Sequence, residues 1–472
     1  MFQAMRGFAP GAADIEKWIR KGLDSTAATT GDKLIPQKID PYITELNMRL
    51  SPLRTLIPRI PWTSGTYDKR LRSARGRGRF VGDGKSAPIG RSTYLSFAEP
   101  IKRLQVRGQV THFLGLAAQE FTDPLRNEIK GCTVSANWLE EWALLYANKY
   151  ADETMWSGME QWSQTGYGKI YDGNGATIST DILDTVIDNL QSEGVFLGPD
   201  NAFFLTTPKM ISKISSLKQS GQRWNDQVEV SGGFRFRDYR GIPLVPTSFI
   251  APNQAWPGGT VTATPATSGG AMADGAYYYY VSAILETGET LPCTEVTATI
   301  SGGSGAGSIE LSWTAPATAG AVYLYKIYRT AAGGASGSEV HYTTIPGTLV
   351  SEDSVGFGFL SATDVITWVD TGSRTTQTTT FATGTVSGAA YTPAYAPANL
   401  DELAANEEDM WLFCTKAPVA EDGNLLFLPT LKPMGYQPLP PLGEYDWFYI
   451  SEYAALIAIE QYQTRIARVK AV

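Results

Sequence analysis

Six basic residues, Lys69, Arg70, Arg72, Arg75, Arg77 and Arg79, fall within the run KRLRSARGRGR with no acid among them, and Lys85 follows in a Gly-rich stretch. Cations at this density can hold a phosphate, track a nucleic-acid backbone, or pair with carboxylates on a protein surface. The segment GDGKSAP contains a Gly-Lys-Ser step. The first glycine of a phosphate-cradling G-x-x-x-x-G-K-S loop would fall at Arg79, however, and Gly78 misses it by one. Arg-Gly alternation suits single strands, but Phe80 is the one aromatic available for stacking and no folded reading module accompanies it. Charge favours the third chemistry. Residues 1–110 carry 20 Lys/Arg and 9 Asp/Glu, a net +11, whereas the whole chain is −8, which leaves −19 on the remainder. A basic front and an acidic back fit copies that meet head to tail.

Other groups offer less. Glu140 and Glu141 are adjacent carboxylates, but neighbours on a helix point about 100° apart, so the pair is expected on the polar side and its edge rather than in one site. GGSGAG (Gly302–Gly307) follows no buried parallel strand and opens no helix, so it reads as a hairpin turn. Tyr277–Tyr280 are expected to alternate between a core and an outer face. Two histidines, His112 and His341, and three scattered cysteines, Cys132, Cys293 and Cys414, give no metal-ligand spacing, no disulfide framework and no triad-like signature. The residues therefore assign no catalytic, cofactor or metal site, and the chain is read as not an enzyme.

The elements that must carry the basic run are legible around it. The alternating segments on either side, with Thr93–Phe113 as strand broken near Pro100, predict a protruding β-hairpin. The strongest helix follows, capped by Asp123 with Pro124 in its first turn. Leu125, Ile129, Cys132, Ala136, Leu139, Ala143, Tyr146 and Tyr150 form one apolar stripe, and Trp138, Trp142 and Leu145 a second. A helix apolar on two faces lies between layers. Its run of about 30 residues would span roughly 45 Å, and Gly131 within it suggests a close crossing or bend at a cost of about 1 kcal/mol against Ala. An α/β region comes next: a helix capped by Thr180 and ended by Gly194, a buried strand at Asn201–Thr207, a helix capped by Thr207, and a strand within Tyr239–Ile250. From about Trp256 to Gly384 the composition turns to Gly, Ser, Thr and Ala, with three basic and ten acidic residues, in short alternating strands. That is the pattern of a small all-β sandwich inserted in a larger unit. After AAYTPAYAPANL the apolar strands EDMWLFCTKA and NLLFLPTLKPM resume, and EYAALIAIEQYQTRIARVKAV closes the chain as strand or helix–strand.

A chain of 472 residues with 43% hydrophobic content accommodates two to four domains. No apolar run reaches the 18 residues of a membrane span, and MFQAMRGFAPGAADIEKW lacks the apolar region of a secretory signal.

The order of these segments resembles the major capsid protein of tailed bacteriophages, the Hong Kong 97-like fold. FAEPIKRLQVRGQVTHF leading into AAQEFTDPLRNEIKG and NWLEEWALLYANK looks like that family's extended loop returning to its spine helix. ISTDILDTVIDNLQSEG, NAFFLTTPKMISKISSLKQSG and YRGIPLVPTS resemble its axial domain, and the closing segment resembles the end of its peripheral domain. Within the insertion, YYYYVSAILETGETLPC, IELSWT, YKIYRT and VITWVDTG resemble a fibronectin type III or immunoglobulin-like module.

The resemblance implies an α+β chain. Its parts would be an N-terminal arm (1–60), an extended loop (61–98), a peripheral domain with the spine helix (99–176), the first part of an axial domain (177–256), the inserted sandwich (257–385), and a return through the axial domain to a closing peripheral segment (386–472). It implies hexamers and pentamers of one chain, forming an icosahedral head shell around double-stranded DNA that is held without sequence-specific binding. A separate scaffolding protein and a portal would be partners, with no membrane and no cofactor. Assembly would occur in the host cytoplasm, giving a virion. Lys69, Arg70, Arg72, Arg75, Arg77, Arg79 and Lys85 become inter-subunit contacts, and Leu125, Ile129, Leu139, Trp142 and Tyr146 the core of the spine helix. The alternatives are an encapsulin-like cargo shell and, from another class, a glycan-binding adhesin that uses the sandwich.

Overall fold

The computed structural model describes residues 48–471 apart from 77, 87–88, 119–122, 164–168, 222–226, 231–233, 317–321, 348–364, 373–376, 382–383, 389–404, 417–422, 441–442 and 460–461. Most of the expected arm, residues 1–47, and Arg77 lie outside the described residues.

Pro52 opens a single helical turn, α1 (Leu53–Leu56). Pro58 ends it by holding Ile57 extended, at ψ 122. The short strand β1 (Arg59–Pro61) follows, and then β2 (Thr66–Ala74) and β3 (Thr93–Pro100) pair antiparallel from Thr66↔Pro100 to Ala74↔Thr93. Among the described residues these two strands pair with no other. The break expected near Pro100 falls at Ile101, after which β4 (Lys102–Thr111) begins.

A short helix, α2 (His112–Ala118), leads to the long helix α3 (Pro124–Tyr146). Asp123 caps α3 by accepting the Arg126 N–H at 3.1 Å. The helix has 23 residues rather than about 30. It stops because Ala147 turns extended, at ψ 143, and Gly158 packs against that end, donating its N–H to the Ala147 carbonyl at 2.7 Å. A Cβ at Gly158 would stand 2.7 Å from the Ala147 nitrogen, so only glycine permits the approach. The expected crossing at Gly131 is absent, since nothing lies within 4 Å of where its Cβ would stand. Helix α4 (Met159–Ser163) completes this part.

The α/β region contains β5 (Lys169–Asp172), α5 (Thr180–Ser192), β6 (Ala202–Thr206), α6 (Pro208–Gly221), β7 (Gln227–Val230), β8 (Phe234–Tyr239) and β9 (Ile242–Pro246). Ser179, not Thr180, caps α5, accepting the Ile182 N–H at 3.3 Å, while Thr207 caps α6 as expected. The two-residue turn joining β8 to β9 has positive φ at both Arg240 and Gly241, 52° and 81°, the backbone that matches the twist of a tight hairpin.

The insertion holds β10 (Thr262–Ala266), β11 (Gly275–Leu285), β12 (Gly288–Glu289), β13 (Val296–Ile300), β14 (Ser308–Thr314), β15 (Val322–Arg329), β16 (Val340–Pro346), β17 (Val365–Asp370), β18 (Gln377–Phe381) and β19 (Gly384–Gly388). One sheet runs β10-β14-β17-β18-β19. In the other, β12 and β13 flank β11, followed by β15 and β16. Tyr277, Tyr279, Trp313, Tyr325, Tyr342 and Trp368 meet in a single apolar core. Tyr280 is buried too and Tyr278 half-buried, so the expected tyrosine alternation holds without leaving a bare outer platform.

The chain then weaves back with β20 (Glu407–Cys414), β21 (Leu426–Pro438), β22 (Tyr445–Ala454), β23 (Ile457–Ala458) and β24 (Thr464–Lys470). Strands β1-β21-β22-β4 form the sheet under α3, with β23 paired to β21, and β5-β24-β20-β6-β9-β8-β7 form a seven-stranded sheet. The closing segment was expected in the unit of the long helix. Its first residues, at the end of β22, pair with β4 in the sheet under α3, and its last strand, β24, lies between β5 and β20 in the seven-stranded sheet, where Ile466 and Val469 join the core beneath α5 and α6. In β6 and β20, Phe203, Leu205, Trp411 and Phe413 face the α3 side, while Phe204, Met410 and Leu412 face the α5–α6 side. Burial on both faces explains why these strands read as unbroken apolar runs.

Candidate inter-subunit surface

Side-chain alternation splits the basic run between two faces of the β2–β3 hairpin. Tyr67 packs on Trp62 and Phe427, with ring centroids 4.6 and 5.4 Å apart. Lys69, on the same face, donates to the Asn424 carbonyl at 2.9 Å and sits 4.7 Å over the Phe427 ring. Burial pushes its ammonium down to about 8. Lys69 therefore anchors the root of the hairpin to its own chain and is not one of the outward cations. Arg70 and Arg72 point to solvent, Arg72 lying 5.6 Å over the Tyr94 ring. Arg75, Arg79 and Lys85 are exposed further out. Among them stand bare apolar side chains: Phe80 is 103% and Ile89 88% exposed.

A second apolar patch lies at the other end of β4. On α2, Phe113 is 79% and Leu116 74% exposed. Sequence reading missed this patch. HFLGLAA reads as the tail of a strand, and its signal was an apolar run too short to bury itself. Exposed apolar groups flanked by charge mark places where another molecule docks.

The long helix α3 is enclosed over its C-terminal half. Trp142 and Tyr146 are buried, whereas Leu125, Ile129 and Leu139 are half-buried against the same core. The Trp142 ring stacks on Tyr323 of the insertion at 4.2 Å, and its N–H donates to the Leu285 carbonyl at 3.1 Å. The expectation for Glu140 and Glu141 is corrected here: both are fully buried. They diverge as helix geometry requires, but each meets the 53–59 segment. The Glu141 carboxylate accepts the Leu53 and Arg54 N–H groups at 3.0 and 3.3 Å. Glu140 pairs with Arg54 at 3.0 Å and with Arg59, which also holds Glu452. Burial pushes Glu140 up to about 7 and Glu141 up to about 8, against the Arg cations and backbone N–H groups that favour their charge. The cluster is a clamp in which Arg54 and Arg59 both pair with buried carboxylates.

A comparable lock joins the insertion to the rest. Buried Lys326 of β15 bridges Glu160 of α4 and Glu289 of β12, each at 2.5 Å, and Arg465 of β24 spans Glu160 at 3.0 Å and Asp409 at 2.6 Å. GGSGAG forms a turn between β13 and β14, with Asp274 accepting the Gly302 and Gly303 N–H groups at 3.0 and 2.9 Å. Among the described residues the three cysteines are buried as free thiols, no three His, Cys, Asp or Glu side chains gather as a metal centre, and no helix is long and apolar enough to cross a membrane.

No protein-family model matches the sequence, and no curated protein matches it. Among solved structures the chain is similar to the holo-SrpI encapsulin complex from Synechococcus elongatus PCC 7942, at 9% identity and TM-score 0.46 over 93% of this chain and 94% of that one. It is also similar to the capsid of a native GTA particle, at 9% identity and TM-score 0.44 over 95% and 100% of the two chains. A third similar structure is the cyanophage A-1(L) capsid, at 11% identity and TM-score 0.43 over 93% and 98%.

Proposed function

We propose that this chain is the repeating subunit of a closed protein shell, the major capsid protein of a tailed-phage head assembled from hexamers and pentamers around double-stranded DNA. The observation that carries the reading is the β2–β3 hairpin. It pairs with no other strand among the described residues, is rooted by Tyr67 and Lys69, and holds Phe80, Ile89 and the outer cations away from its own core. A lone subunit gains nothing from such a finger. A ring of copies does, because each finger covers apolar surface and meets the acidic remainder of its neighbour. Each surface charge contact contributes about 0–1 kcal/mol, and the shell repeats it in every subunit. The α3 layer and the seven-stranded sheet make the wall. The insertion is a sandwich of immunoglobulin or fibronectin type III kind that projects outward, where its volume does not compete with the genome. Its net charge of −7 over residues 256–384 suits a solvated outer face.

The test is assembly of the purified chain, seen by negative-stain electron microscopy, beside a variant with Arg70, Arg72, Arg75 and Arg79 all changed to Ser. The expected result is closed shells from the parent, and from the variant a lower yield with loss at lower salt. Equal yield and equal salt tolerance would refute the role of the hairpin. In particles recovered from cells, packaged DNA supports the phage head, whereas protein cargo in tail-less shells makes the chain an encapsulin-like compartment.

A further inference from the structure

One glutamate of the insertion lacks the partners its position demands. Glu339, immediately before β16, is 2% exposed, and neither of its carboxylate oxygens has a hydrogen-bond partner. A buried carboxylate in that condition is costly. Its neighbour is a second carboxylate, Glu295, immediately before β13, and burial together with that neighbour pushes Glu339 up to about 7. The loop from β15 to β16 folds over the pair. Ser336 Oγ donates to Glu295 Oε2 at 2.8 Å and the Gly337 N–H to Oε1 at 3.3 Å. The loop, not the strand register, brings residues so distant in sequence together: β13 and β16 lie at opposite ends of the row Val296–Tyr279–Arg329–Val340, and the 331–338 loop crosses back to Glu295 through Ser336 and Gly337. Alternation puts both on the face opposite to Tyr279, beside Tyr278 and Tyr280.

Among the described residues, no cation of the domain is free to neutralise them. Lys326 is held by Glu160 and Glu289, and Arg329 by Asp370. Two carboxylates in contact cannot both ionise unless positive charge stands between them. The sealed oxygens of Glu339 exclude a side chain from a partner protein but not a single ion. We propose that Glu295 and Glu339 form a Ca2+ site on the inserted domain, with Ser336 Oγ as a further oxygen donor and loop carbonyls and water completing the coordination. Hard oxygen donors in an irregular, flexible set suit Ca2+, whereas Mg2+ demands near-ideal octahedral geometry and retains several waters, for which the buried side of this pair leaves no space. Bound there, the ion pins the 331–338 loop to the start of β13.

The test uses the full chain and Tb3+, a luminescent substitute for Ca2+ that Tyr278 and Tyr280 would sensitise. One Tb3+ per chain is expected, displaced by Ca2+ and not by Mg2+, with Tm raised by Ca2+ and lowered by a chelator. Glu339→Gln and Glu295→Gln should each weaken binding by more than about tenfold, while Glu310→Gln, an exposed position on β14, should not. If Glu339→Gln fails to fold, the half-buried Glu295 carries the test alone. No saturable binding by the parent, or equal binding by the Glu295 variant, overturns the site. So does a stability that falls as pH rises from 4.5 through about 7 whether or not Ca2+ is present, since that is the signature of two carboxyls sharing a proton.

Discussion

Single residues show where a one-dimensional reading stops. Lys69 sits in an unbroken basic run, and nothing in that run distinguishes it from Arg70. Only Asn424 and Phe427, far along the chain, turn it inward. Glu140 and Glu141 look like a polar face because their partners, Leu53, Arg54 and Arg59, lie more than eighty positions away. The Glu295–Glu339 pair is invisible for the same reason. Local chemistry, by contrast, was legible: Asp123 and Thr207 cap their helices through side-chain oxygens one turn from the N–H groups they accept. Gly131 was legible as a cost but not as a contact. Open space surrounds it on an exposed face of α3, so Gly131→Ala should raise stability by about 1 kcal/mol, read as a higher denaturation midpoint with an unchanged denaturant slope. A fall in stability would mean that the helix needs glycine there.

Elements were read well where a period was complete within them and poorly where a neighbour decided their ends. The hairpin, the break near Pro100 and the helix α3, buried all round over Glu140–Tyr146, follow from pattern. The end of α3 does not, because Gly158 returns to pack on it. Nor does the placement of β24, whose apolar run would suit either sheet. The clamp between α3 and the 53–59 segment gives this scale its prediction. Glu140 and Glu141 have raised values in the folded chain, so the folded state binds more protons than the unfolded one between about 4.5 and 8. Stability from the clamp is therefore present below about 4.5 and is lost as pH rises through 7 and 8. Glu140→Gln should flatten that slope in pH-dependent unfolding, whereas a slope unchanged by the substitution would remove Glu140 as its source.

At the scale of the whole molecule, charge asymmetry and composition marked out a basic front, an acidic back and a separate all-β insertion. They did not show how firmly the insertion is held. Lys326, Arg465, Glu160 and Glu289 bury a shared ion network at that junction, which fixes the insertion to α4 and β24 rather than leaving it a tethered appendage. The α2 patch, with Phe113 and Leu116 bare, lies at the opposite end of β4 from the hairpin, and in the proposed shell both surfaces are covered by another copy. The central claim is that the tip is covered by a neighbouring subunit. A photo-crosslinker at Phe80, in particles assembled from equal parts of isotopically heavy and light chains, measures this most directly. Mixed heavy–light crosslinks are the expected result, and crosslinks found only within one chain would contradict the account.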